Sequence, residues 1–110
     1  MFDLDPAGRA FSRETAADLR IAMLGVVESG TGQSMAVDGL VVGAKTGTAQ
    51  LGPDATSQHA WAVAFAGTDI GRPDIAVAVL VEADEAVGEQ TGGRVAGPIV
   101  AQLIESWMEQ

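Results

Sequence analysis

The stretch "VVGAKTGTAQLGPD", residues 41–54, decides how this chain folds. An apolar run leads into a lysine set among glycines and threonines. Two architectures begin that way. In one, a strand ends in a phosphate-cradling loop, G-x-x-x-x-G-K-[ST], whose amides open a helix. In the other, the strand runs on through the lysine and presents it at a sheet edge. From Gly39 to Thr46 the first pattern is met except at Ala44, which stands where the second glycine belongs. Gly47, Gly52 and Pro53 then follow, and no helix can start there. The dipole and N–H groups that hold a phosphate are therefore missing. Residues 40–48 read as a strand, and a nucleotide-binding loop is the least supported of the functional readings.

Working outward, two more strands stand out. "AWAVAFA", residues 60–66, alternates Trp61, Val63 and Phe65 with Ala62, Ala64 and Ala66. "IAVAVLV", residues 75–81, alternates Ile75, Val77, Val79 and Val81 with Ala76, Ala78 and Leu80. Both faces of both strands are apolar, which predicts cover on both sides. The alanine face allows close approach, most simply by a helix. The polar stretch 51–58 and the connector "GTDIGRPD" are short, which favours antiparallel pairing.

Helices are expected at the two ends. Ser12 is a candidate N-cap, with Glu14 in the first turn favouring the helix dipole. Leu19, Met23, Val26 and Val27 then recur at helical spacing. The helix should stop at Ser29–Gly30, where glycine can take a left-handed conformation. Ala96, Ile99, Val100, Leu103, Ile104, Trp107 and Met108 form a second stripe, with Trp107 and Met108 expected in the core. Pro98 fits only near the first turn of that helix. Residues 1–11 and the acidic segment 82–93 read as loops. The fold class is α+β: an antiparallel sheet of about three strands between an N-terminal and a C-terminal helix.

Composition narrows the function. The chain has 110 residues and is 47% apolar, which suits one small packed unit. Its net charge of −9 disfavours nucleic acid and anionic membranes as partners. There is no cysteine, and His59 is the single histidine, so a Cys- or multi-His metal site cannot be built within it. His59 is expected at a strand edge or on the surface. The carboxylates Glu82, Asp84, Glu85 and Glu89 match neither a calcium-loop nor a glycosidase spacing. No cofactor and no metal are expected. No segment approaches the ~20 apolar residues that span a bilayer, and the first ten residues lack the pattern of a signal peptide.

The strand reading gives Lys45 and its neighbours a chemistry. A lysine supplies fixed positive charge near a substrate carboxylate. The hydroxyls of Thr46 and Thr48 can hydrogen-bond that carboxylate, and Gly47 lets an acyl group lie close to the backbone. A backbone N–H just beyond can stabilise a tetrahedral oxyanion.

"KTGTAQ", with "GTG" before it and "HAWAVAFAG", "IAVAVLVE" and "TGGRVAGPI" after it, resembles the C-terminal part of a penicillin-binding protein transpeptidase domain, of the class B, high-mass type. The resemblance runs from about Ser12 to the end. It implies a larger β-lactamase/transpeptidase-like fold, of which residues 1–110 would be one incomplete part. It also implies a serine acyltransferase that cross-links peptidoglycan stem peptides and is acylated by β-lactams. Lys45, Thr46 and Gly47 carry over as its third motif. Thr48 carries over as the residue whose backbone N–H completes the oxyanion hole. Ala62 departs from relatives that often have a larger aromatic after the tryptophan.

The family's other two motifs are S-x-x-K and S-x-N or S-D-N. Three residues after Ser12, Ser29, Ser34, Ser57 and Ser106 stand Thr15, Gly32, Val37, Ala60 and Glu109. None is lysine, and the chain has no asparagine. The nucleophile and its base are therefore expected outside this chain, in a preceding part of the domain that would be its partner. That implies an inactive chain by itself and a membrane-anchored, extracytoplasmic parent. A β-lactamase or β-lactam sensor is a sibling reading. From a different class, a non-catalytic small domain that binds a ligand or partner is the alternative.

Overall fold

The computed structural model describes residues 8–51, 57–69, 71–82 and 92–110. Helix α1 spans Arg13–Ser29. The Ser12 side chain caps it as expected, accepting the Thr15 N–H at 3.1 Å and satisfying one of the orphan donors of the first turn. The other end corrects the expectation of a left-handed glycine. Gly30 is extended, with φ −105°. Space favours glycine there, since a Cβ would be crowded at 3.0 Å from both the Cα and the carbonyl oxygen of Val26. The N–H groups of Gly30 and Gly32 both reach that Val26 carbonyl, at 3.0 Å each. Of the expected apolar stripe, only Val27 is buried; Met23 and Val26 are half-buried and Leu19 is exposed.

A short 3-10 turn, Gln33–Met35, buries Met35 completely and leads to the sheet. Strand β1 spans Val41–Leu51, β2 Ser57–Gly67 and β3 Ile75–Val81. They pair antiparallel in the order β1-β2-β3. The first hairpin is longer than expected, because pairing continues through Gln50↔Gln58 and Leu51↔Ser57. Between β2 and β3 the Asp69 side chain accepts the Gly71 N–H at 2.8 Å, an Asx-type turn. The expected loops at 1–11 and 82–93 lie mostly outside the described residues.

The register gives the sheet two distinct faces. Val42, Ala44, Thr46 and Thr48 of β1 share one face with Ala66, Ala64, Ala62 and Ala60 of β2. Ile75, Val77, Val79 and Val81 of β3 complete it. A π-helical turn, Gly92–Ala96, feeds helix α2, Gly97–Met108, with Pro98 in its first turn. The π-helical turn and α2 pack on the alanine face through Ala96 of the turn and Val100 and Ile104 of the helix, all fully buried. Burying a valine or isoleucine this way contributes about 1.5–3 kcal/mol each, before ordering costs.

Two packing expectations hold only in part. The opposite face of the sheet is partly covered: Phe65 is half-buried over Gly43, and Met23 of α1 shares a shallow cleft with Val63, Phe65, Ala76 and Ala78, while Trp61, Val63 and Leu80 are 41%, 40% and 41% exposed. The stripe on α2 is also narrower than read. Ile99, Leu103 and Met108 are exposed, and Trp107 is half-buried. An alanine surface is nearly flat, so a straight helix meets it along one row, here positions 96, 100 and 104. Residues flanking that row point away.

Candidate functional site

Strand β1 lies at one edge of the described sheet and carries Lys45, Thr46, Gly47 and Thr48 in its middle. The chain stays extended through all four, and no helix follows the lysine. Pleating divides them. Lys45 and Gly47 stand opposite Val63 and Trp61, on the bulky face. Thr46 and Thr48 stand opposite Ala62 and Ala60, on the alanine face. The four are thus adjacent along the strand but address its two sides.

Lys45 is exposed, and its Nζ donates to the backbone carbonyl of Thr46. The ammonium therefore stays close to the strand that carries it, across from the threonine hydroxyls. Gly47 is exposed. A Cβ at Gly47 would meet nothing nearer than the Trp61 Cβ at 3.7 Å, which is ordinary contact. Packing does not require glycine there, and the backbone of residue 47 is open to approach.

The threonine side opens onto a cleft of about 500 Å³. Its lining includes Thr31, Ser34, Thr46, Thr48, Gly93 and Arg94. This is a polar, hydroxyl-rich wall with one guanidinium, suited to an anionic group. A cleft of similar size, about 520 Å³, lies between α1 and the start of β1. It is lined by Leu24, Val27, Val37, Leu40 and Val42 among others, and offers no comparable set of donors.

Thr31, Ser34, Gly93 and Arg94 of this wall are not among the site residues expected from the sequence. The Thr31 and Thr46 hydroxyl oxygens are 2.7 Å apart. The Ser34 hydroxyl donates to the Gly93 carbonyl at 2.8 Å. A Cβ on Gly93 would lie 2.4 Å from the Thr31 carbonyl oxygen, so the two backbones pass in direct contact. The turn Gly30–Gly32 after α1 and Gly93 before α2 are thus pressed together beside β1. The glycines were legible as turn residues, and nothing in their local pattern shows what they touch.

His59 is half-buried on β2, opposite Ala49, and is not part of the cleft lining. Among the described residues no group of three or more His, Asp or Glu is placed to hold a metal ion. No described helix is long and apolar enough to cross a membrane.

Residues 4–105 match the family model described as the penicillin binding protein transpeptidase domain. The chain is 41% identical over 103 residues to the peptidoglycan D,D-transpeptidase PbpA of Mycobacterium tuberculosis, covering 92% of this chain and 20% of that protein. It is 43% identical over 95 residues to the probable peptidoglycan D,D-transpeptidase PenA of Neisseria gonorrhoeae, covering 82% and 16%. A solved ceftriaxone acyl-enzyme complex of penicillin-binding protein A from M. tuberculosis superposes with a TM-score of 0.73 at 40% identity, covering 90% of this chain and 22% of that one. The three-stranded sheet and its two helices thus match part of a transpeptidase structure. The chain spans about a fifth of the length of the curated relatives it matches.

Proposed function

This chain belongs to the penicillin-binding protein transpeptidase family, and from that premise we propose that it is the C-terminal part of a peptidoglycan D,D-transpeptidase domain, supplying the K-T-G strand. One observation carries the reading. An edge strand offers Lys45 on one side and Thr46 and Thr48 on the other, above a hydroxyl-lined cleft.

In this account a serine outside the chain attacks the penultimate D-Ala carbonyl of a stem peptide. The amide bond to the terminal D-Ala breaks, that D-Ala leaves as a free amine, and an acyl ester remains on the serine. The amine of a second stem peptide then takes the acyl group and frees the serine. The Thr46 and Thr48 hydroxyls hydrogen-bond the donor's terminal carboxylate. The Lys45 charge holds the same region positive. Strand β1 is an edge of the described sheet, where alternate amides lack a strand partner; in this reading the Thr48 N–H is one of them and donates to the oxyanion beside the serine's own N–H. Open space over Gly47 admits the acyl chain. A β-lactam carries the same carboxylate next to a strained amide, so it acylates the same serine in the intact domain. The parent is anchored in the membrane with this domain outside the cytoplasm, where peptidoglycan lies.

Fluorescent penicillin tests the assignment. The chain alone should take no covalent label, because it has no S-x-x-K serine. A protein that continues upstream into S-x-x-K and S-x-N should be labelled on that upstream serine. A label on Ser12, Ser29, Ser34, Ser57 or Ser106 contradicts the proposal, as does an unlabelled intact protein.

A further inference from the structure

We infer that Thr31 is a positioning residue for Thr46: its hydroxyl donates to the Thr46 oxygen and leaves the single Thr46 proton free for a substrate carboxylate. The inference rests on the reading of Thr46 as a carboxylate ligand, and it adds a residue that the K-T-G motif does not contain.

The geometry begins with the 2.7 Å contact between the two hydroxyl oxygens. A threonine hydroxyl has one proton to give and two lone pairs. A carboxylate only accepts, so Thr46 must spend its one proton on it. The Thr31 contact then has a single allowed direction, from Thr31 to Thr46. In that direction it polarises the Thr46 O–H and strengthens its outgoing hydrogen bond. A valine at 31 would remove the donor, and the Thr46 proton would be free to turn elsewhere.

The backbone holds Thr31 in place from three sides. Gly30 and Gly32 on either side both donate to the Val26 carbonyl, tying residue 31 to the last turn of α1. Behind it, Gly93 leaves no room for a side chain against the Thr31 carbonyl. Gly93 is in turn held through its carbonyl by Ser34. Thr31 itself is exposed and Thr46 half-buried, so the pair faces the cleft and not the core. An exposed hydroxyl pair adds little to folding, because water competes for both partners. A clamp of this kind around a contact of low folding value is what orientation of a ligand group requires.

The test uses the intact transpeptidase that carries this segment, with acylation rates for a β-lactam bearing a free carboxylate and for its methyl ester. Thr46→Val should slow acylation by the free acid about 10- to 100-fold, as for a lost hydrogen bond to a charged group. Thr31→Val should slow it about 3- to 10-fold, as for a lost neutral hydrogen bond. Thr31→Ser, which keeps the hydroxyl, should restore the wild-type rate. With the ester, Thr31→Val and wild type should react alike, and their melting temperatures should agree. If Thr46→Val slows the free acid while Thr31→Val does not, the positioning role is wrong and the K-T-G reading stands. If Thr31→Val slows acid and ester equally, its role is structural and the inference fails. If Thr46→Val is without effect, the K-T-G reading itself falls and takes this inference with it.

Discussion

The two faces of the sheet differ in a way that composition alone would reverse. The alanine face is built from the smallest apolar residues, yet Ala60, Ala62 and Ala66 are completely buried. The face with Trp61, Val63 and Leu80 has the greater apolar payload, yet each of these is about two-fifths exposed, at 41%, 40% and 41%. Close approach decides the first case. A row of methyl groups lets α2 settle on the strands, and Val100 and Ile104 then fill the remaining depth. The second face carries residues that suit a strand surface but is met by α1 only in part, around Met23, Val63 and Phe65. The core of this unit is thus set by where side chains are short.

Substitutions on the two faces should therefore behave differently, and they rank in size. Ile104→Ala removes the side chain that fills the gap over the alanine face. It should destabilise the chain by about 2–5 kcal/mol, which is enough to abolish a cooperative denaturant transition in a unit this small. A transition shifted by less than half that amount would mean that α2 is not the main cover. Ala62→Leu puts volume where exposure is zero. Overpacking there should cost about 1–3 kcal/mol, read from the same denaturation curve. Trp61→Ser, on the open face, should change stability by about 1 kcal/mol or less. It should also lower self-association in sedimentation velocity, because exposed apolar patches drive it. A large loss of stability from Trp61→Ser would show that the bulky face is core after all.

Much of this was legible in the residues. The Ser12 cap, the Pro98 entry to α2 and the bounds of β3 follow from local chemistry, and the structure has them where that chemistry puts them. The failures share one cause. Alternation along β2 tells which residues share a face, but not which face receives the helix. The α2 stripe read wide because the period of a helix does not reveal how flat its partner is. Gly30 reads as a left-handed cap from sequence, yet what favours glycine there is the Val26 backbone beside it.

The candidate site divides in the same way. Lys45 to Thr48 are contiguous, so one strand assignment places all four. Thr31 and Gly93 lie far from them in sequence, and no spacing rule connects a turn after one helix to a turn before another. Only the closed fold brings Thr31 to 2.7 Å from Thr46.

In the proposed function this chain contributes one wall of an acyl-transfer site, with Lys45 as its fixed charge. Acylation of the intact transpeptidase by a carboxylate-bearing β-lactam, wild type against Lys45→Ala, tests it most directly. Lys45 is exposed, and its hydrogen bond goes to its own strand, so the substitution should leave the melting temperature unchanged. Acylation should slow about 10- to 100-fold, the size of a lost charge-assisted contact to the carboxylate. Acylation at the wild-type rate would contradict it.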